Sequence, residues 1–386
     1  MRNIAEDILY IGVDDLDLDL FESQYVVPNG MSYNSYLIKD EKIAIMDTVD
    51  SRKGQEWLEI LKEALGERRP DYLVVQHMEP DHTGSIEHLV ELYPELKIVA
   101  TVKAVQMLSQ FFGGVDFSQR TVAVKEGDTL ELGRHTLKFF TAPMVHWPEV
   151  MVTWDSESKV LFSADGFGKF GALSCDEDWA CEARRYYFNI CGKYGAPVQT
   201  LLKKILPLGV EVIAPLHGPV LSENIDYYVN LYDIWSRYDV ETEGVFIACA
   251  SIHGGTLKAA HLLADMLRER GAGRVTVADL CREDMAEAVE DAFRVGTLIV
   301  AAASYDAGVF TPMYNFLHLL QMKGYQRRRV GIVENGSWAP TAARVMKSMF
   351  EEMKSIEILE PVVTIRSRAN AENILELERL ADSVVA

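Results

Sequence analysis

Between residues 77 and 82 the chain reads His77-Met78-Glu79-Pro80-Asp81-His82. Four potential metal ligands stand within six residues, on a loop that Pro80 stiffens. Imidazole and carboxylate together suit zinc, iron or manganese. Taken alone, the same run fits a polar turn with Asp81 near a helix N-cap. Three more residues extend the pattern. His146 ends Thr141-Ala142-Pro143-Met144-Val145-His146, Asp165 sits in Ser163-Ala164-Asp165-Gly166, and His217 sits in Pro215-Leu216-His217-Gly218. Each follows a short apolar stretch that reads as a strand, and layered α/β architectures gather ligands at strand ends. Four strands each followed by a His- or Asp-bearing loop are a poor fit to coincidence. The five cysteines, Cys175, Cys181, Cys191, Cys249 and Cys281, form no CxxC pair. Sulfur-ligated sites are thereby excluded, and the cysteines read as free thiols of a reducing, cytoplasmic setting.

A second constellation lies further on. Ser251-Ile252-His253-Gly254-Gly255-Thr256 follows an apolar strand and opens a helical pattern. Such a loop offers backbone N–H groups and a helix N-terminus to a phosphate. It also fits an ordinary strand-to-helix turn capped by Thr256. Ser304-Tyr305-Asp306-Ala307 and Asn335-Gly336-Ser337-Trp338 follow the next two strands of the same half. No GxGxxG run is present there, which argues against a dinucleotide in this half.

The elements that must position these loops fall into two regimes. Residues 1–240 show short apolar stretches, among them Lys42–Met46, Tyr72–Val75, Thr136–Phe140, Val160–Phe162 and Val212–Ala214, with helical periodicity at Gly54–Leu65, Ser85–Leu92 and Ala104–Phe111. Mixed strands with helices outside predict an αββα sandwich. From residue 241 strands and helices alternate five times, which predicts a doubly wound parallel sheet of order 2-1-3-4-5. The fold class is α/β, with domains at 1–240 and 241–386. His88 reads as a helix residue and His135 as a turn residue.

The formal charge is −20 over 386 residues, with −16 in 1–240 and −4 in 241–386. So acidic a chain argues against nucleic acid and anionic lipid as partners. No apolar run reaches the ~18–20 residues of a membrane span, and the first residues lack the pattern of a secretory signal. Lys323 and Arg327-Arg328-Arg329 form a basic cluster that could dock an acidic electron carrier or could be a solvated turn.

The order His77, Glu79, Asp81, His82, then His146, Asp165 and His217 resembles the metallo-β-lactamase superfamily over residues 1–240. Hydrolases of that superfamily carry His where this chain has Glu79. That replacement resembles the flavodiiron proteins, whose second domain is flavodoxin-like. The resemblance spans both halves. It implies two non-haem irons, one held by His77, Glu79, His146 and a bridging Asp165, the other by Asp81, His82, His217 and the same Asp165. It implies FMN in the second half, where Ser251, His253, Gly254, Gly255 and Thr256 match the flavodoxin phosphate loop. Ser304, Tyr305, Asp306 and Ala307, with Asn335, Gly336, Ser337 and Trp338, match the two flavin loops, and Trp338 stands where an aromatic stacks on the ring. His253 departs from the usual residue of that loop. The implied activity is reduction of O2 to water or of NO to N2O, fed by rubredoxin or a similar donor, in a head-to-tail homodimer or a dimer of dimers. Tyr25, Tyr33 and Trp147 are candidates to line a pocket for the gas, Tyr186 and Tyr187 read as packing, and Tyr194 reads either way. The alternative is a dizinc metallohydrolase fused to a flavodoxin-like module, against which Glu79 weighs.

Overall fold

The computed structural model describes residues 2–386. Packing divides the chain into two compact units, Met1–Tyr187 with Tyr194–Asp233, and Phe188–Lys193 with Ile234–Ala386.

In the first unit the apolar stretches pair into two sheets. Seven strands stand side by side in chain order: Arg2–Ala5, Ile8–Tyr10, Tyr36–Lys39, Ile43–Met46, Tyr72–Val75, Lys97–Thr101 and Thr121–Val124. Five form the second sheet: Thr129–Glu131, Thr136–Thr141, Met151–Asp155, Val160–Phe162 and Val212–Ala214. Alternate residues of a strand share a face, so Tyr36 and Ile38, Ala44 and Met46, and Leu137 and Phe139 project into one core between the sheets. Helices cover the far face of the larger sheet. In Gly54–Leu65 the buried Trp57, Leu61, Ala64 and Leu65 recur at helical spacing and form its inward stripe. With both faces covered, Ile43–Met46 is buried at every position. Each fully buried large side chain contributes about 1.5–3 kcal/mol relative to its exposed state.

The second unit is a parallel sheet in the order Arg274–Asp279, Thr242–Ala250, Val295–Tyr305, Gln326–Asn335, Lys354–Ile358. Numbered along the chain this is 2-1-3-4-5, as the alternation predicts. The fifth strand is split. Val363–Ile365 continues it on the same neighbour after a break containing Pro361, whose missing N–H cannot join a ladder. The helices Gly255–Glu269 and Ala371–Val385 pack on one face through Leu263, Leu267, Leu377 and Leu380. Among the described residues no helix is long and apolar enough to cross a membrane.

Three features depart from the sequence reading. The first 33 residues hold strands of two to four residues, including the hairpin Leu20–Phe21 with Tyr25–Val26. Elements that short leave no periodicity to read. His135 lies in a hairpin connection but is fully buried, with Nδ1 2.9 Å from Asp155 Oδ2. Of the basic cluster Arg328 is buried, Lys323 and Arg329 are partly buried and Arg327 is exposed. The Arg328 guanidinium is buried and donates to the carbonyls of Tyr238 (2.7 Å), Asp239 (3.1 Å) and Phe293 (2.6 Å). Arg329 donates to Ser383 and Val384, Arg327 pairs with Asp239, and Lys323 donates to the carbonyl of Asn189.

The His135–Asp155 pair yields a pH prediction. The hydrogen bond that His135 donates to the Asp155 carboxylate lifts the imidazole above its ordinary 6.5, against the opposing effect of burial. A raised histidine contributes stability that is fully present below the unfolded value and is lost as pH rises through the folded one. The stability gap between the natural protein and His135→Gln is therefore largest below pH ~6.5 and narrows above it in denaturant melts. A gap independent of pH contradicts this reading.

Candidate metal centre and cofactor cavity

The seven side chains singled out in the first half converge at one edge of the sandwich. His77 follows Tyr72–Val75, and Glu79 is the N-cap of the short helix Pro80–Thr83, which carries Asp81 and His82 in its single turn. Pro80 suits the first helical position because its missing N–H has no partner there. His146 lies between Thr136–Thr141 and Met151–Asp155, Asp165 follows Val160–Phe162, and His217 follows Val212–Ala214.

Two groups of ligand atoms result. His77, Glu79, His146 and Asp165 offer atoms within 4.8 Å of one another, and so do Asp81, His82 and His217. His77 Nε2 and His146 Nε2 each lie 3.1 Å from Glu79 Oε2, and 3.5 and 3.1 Å from Asp165 Oδ2. In the other group His82 Nε2 and His217 Nε2 lie 3.3 and 3.2 Å from Asp81 Oδ2. Asp165 Oδ1 is 3.1 Å from His82 Nε2 and 3.9 Å from His217 Nε2. One carboxylate therefore turns one oxygen to each group. Separations of this size fit donors gathered about an ion at roughly 2.0–2.2 Å. His82 Nε2, His217 Nε2, Asp165 Oδ1 and both Asp81 oxygens are buried without a hydrogen-bond partner. Five orphaned buried donor atoms aimed at one point are what a cation site requires, since burying such atoms unsatisfied is costly.

Electrostatics fit the same reading. Burial pushes His77 toward its neutral form, but Asp165, Glu149 and Glu79 outweigh it and raise its pKa. His146 is lifted to about 9, where its hydrogen bonds to the Asp165 and Glu79 carboxylates overcome burial. His82 is raised by Asp81 and Asp165 against burial. Asp165 is held well below the usual carboxylate range by His77, His82 and His146, against its own desolvation. Ligation needs each imidazole nitrogen unprotonated, so metal uptake at these histidines would release protons.

Several contributors escaped the sequence reading. Glu149 Oε1 accepts from His77 Nδ1 at 2.8 Å and from Met78 N at 2.9 Å, which leaves His77 Nε2 as the metal-facing lone pair. The carbonyl of Ser32 plays the same part for His217 Nδ1 at 2.7 Å. Asp47, in the left-handed region at φ 54°, accepts from Gln76 N and Nε2 and so fixes the strand end just before His77. Phe21 stands edge-on to His217 at 5.4 Å, and its hairpin places Glu22 in a cavity of about 250 Å³ that reaches Glu79 and Asp81. Burial and then the Glu79 charge raise the Glu22 carboxyl. Of the aromatic candidates, Trp147 is perpendicular to His77 at 5.2 Å and Tyr33 lies 6.1 Å from His217. Tyr25 is one layer back against Phe170, and Tyr194 precedes the helix Gly195–Ile205. Tyr186, read as packing, packs directly on His217 at 5.6 Å. His88 is exposed on its helix.

The second unit carries a cavity of about 1130 Å³ at the carboxyl ends of its strands. Ser251, His253, Gly255, Thr256, Ser304, Tyr305, Asp306, Ala307, Asn335, Gly336, Ser337 and Trp338 all line it. Gly254 does not; it is the helix N-cap at φ 81°, a conformation that favours glycine. Trp338 is 87% exposed, which excludes a core role and leaves a large ring at the rim for a planar ligand to cover. Ser304 Oγ accepts from Thr341 N and Ala342 N, and Asn335 holds Ser367, so these two side chains shape the wall. Lys258, Ser367 and Arg368 also line the cavity. They come from the first turn of the helix Gly255–Glu269 and from the fifth strand's loop, where no motif marks them. All five cysteines are free.

A family model described as ODP family beta lactamase matches residues 31–218. The putative diflavin flavoprotein A 2 of Synechocystis sp. is 31% identical over 378 residues, 94% of this chain and 63% of that protein. The chain thus spans less than two thirds of that diflavin relative. The nitric oxide reductase of Moorella thermoacetica is 27% identical over 397 residues, 99% of this chain and 98% of that protein. Among solved structures, the rubredoxin oxygen:oxidoreductase of Desulfovibrio gigas superposes with a TM-score of 0.92 at 25% identity, covering 99% of this chain and 97% of that one. A flavodiiron protein variant of Thermotoga maritima gives a TM-score of 0.89 at 22% identity, over 100% and 98% of the two chains.

Proposed function

We propose that the chain is a flavodiiron protein, which its relatives and structural neighbours support, and that it reduces O2 to water, or NO to N2O, at two irons fed through FMN. His77, Glu79 and His146 would hold one iron and Asp81, His82 and His217 the other, with Asp165 shared between them. Ser251, His253, Gly255 and Thr256 would hold the FMN phosphate, with Gly254 shaping their turn. Ser304, Tyr305, Asp306 and Ala307, and Asn335, Gly336, Ser337 and Trp338, would hold the ring. When bound, the iron pair and the flavin supply the reducing electrons and a two-metal site for a diatomic gas.

The observation that carries this reading is the position of Asp165, with one oxygen turned to each ligand group. The chain's own residues do the rest. Glu79 adds an anionic oxygen to the first group, a hard donor that favours iron over zinc. Phe21, Tyr33, Trp147 and Tyr186 wall the centre with apolar surface and restrict it to small neutral molecules. The overall charge does not hinder an uncharged gas. A donor of rubredoxin type is supported by the name of the Desulfovibrio gigas relative. The working unit is proposed as a head-to-tail homodimer, and full gas reduction by a monomer in sedimentation-controlled assays would contradict it.

Anaerobic reduction followed by rapid mixing tests the function. Mixing with O2 or with NO should reoxidise the protein stoichiometrically, with water or N2O as product. Reoxidation by neither gas, with both cofactors present, overturns the reading.

A further inference from the structure

We propose that Lys258 and Arg368 form a cationic clamp on the 5′-phosphate of the flavin. The inference rests on the FMN reading of the second unit's cavity. Of the described residues lining that cavity Asp306 is the only carboxylate, while Lys258 and Arg368 both contribute to the lining. No carboxylate among the described residues lies within ion-pair distance of either. Two cations without an ion-pair partner therefore line one cavity in a chain of charge −20. They locally offset a field that otherwise repels a dianion.

Their placement selects the phosphate end. Lys258 sits in the first turn of Gly255–Glu269, where its backbone N–H bonds to Gly254 O at 3.0 Å. Arg368 lies on the loop after Val363–Ile365. That loop is fastened against the helix start. Ser367 N donates to Asn335 Oδ1 at 2.9 Å, Asn335 Nδ2 donates to Ser367 O at 3.1 Å, and the Ser337 and Ser367 hydroxyls meet at 2.6 Å. A Cβ on Gly255 would lie 2.7 Å from Ser367 O, so glycine is what lets the loop close on the helix. Ser251 Oγ, in the same loop region, is buried without a partner. The start of a helix, an unpartnered hydroxyl and two cations thus line one cavity, a set of groups suited to a phosphate dianion.

Riboflavin has the same ring and lacks the phosphate, so it separates phosphate binding from ring binding. The full-length protein, stripped of flavin, is titrated with FMN and with riboflavin by flavin fluorescence. The variants are Lys258→Gln, Arg368→Gln and the double, with Lys347→Gln, exposed outside the cavity, as control. Each single variant should weaken FMN about tenfold and the double more, with riboflavin unchanged within about twofold. The salt dependence of FMN binding should flatten in the double variant. A double variant that keeps the wild-type FMN-to-riboflavin ratio, or loses both flavins equally, overturns the clamp. A single variant that keeps the ratio removes that residue from it. A natural protein that binds neither flavin overturns the cavity reading itself, and the clamp with it.

Discussion

Asp165→Asn is expected to empty the metal centre while leaving the flavin in place. Asp165 turns Oδ2 to His77 and His146 and Oδ1 to His82 and His217. An amide keeps one acceptor and replaces the other with a donor, so it cannot serve both groups. Removing one partner from a buried, paired charge set costs about 3–5 kcal/mol. At 1.36 kcal/mol per tenfold, that is roughly a 10²- to 10⁴-fold loss of metal affinity. Metal content should fall below one ion per chain and gas reduction by a similar factor. Flavin content is the internal control, because the flavin cavity belongs to the other compact unit. Two retained metal ions, or retained gas reduction, contradict the bridging role.

Glu149→Ala is the second large effect. Glu149 touches no other candidate ligand than His77, yet it fixes that imidazole's tautomer through the 2.8 Å bond to Nδ1. Loss of such an outer partner typically costs 10–100-fold in metal affinity. Glu149→Gln keeps an acceptor for His77 and Met78 but loses the charge, so it should recover part of the loss. The order natural, Gln, Ala in metal affinity, read by competition with a chelator, marks an orienting role. Equal losses in the two variants, tracking lowered melting temperature, mark a merely structural one.

Much of this architecture was legible because its chemistry sits at strand ends. His77, Asp165 and His217 each close a short buried strand, and such strands are recognisable as apolar runs between turn signals. Helix-strand alternation after residue 241 likewise fixes the parallel order, since right-handed crossovers leave few alternatives. The residues that stayed hidden act through distant partners. Glu149 meets His77 across 72 positions, Asp47 meets Gln76 across 29, and Asn335 meets Ser367 across 32. No local period announces such pairs. The hairpin carrying Phe21 and Glu22 has strands of two residues, too short for any pattern. Within the Arg327–Arg329 run Arg328 departs from the surface that a basic sequence cluster suggests: its buried guanidinium satisfies backbone carbonyls within the unit, while Arg327 is exposed.

The most direct test of the carboxylate-tuned iron pair is metal identity and position in protein produced with ample iron. Diffraction data collected on both sides of the iron absorption edge should reveal two iron ions per chain, one among His77, Glu79 and His146, one among Asp81, His82 and His217, with Asp165 between. Zinc alone at those positions, or no metal there at all, contradicts the account.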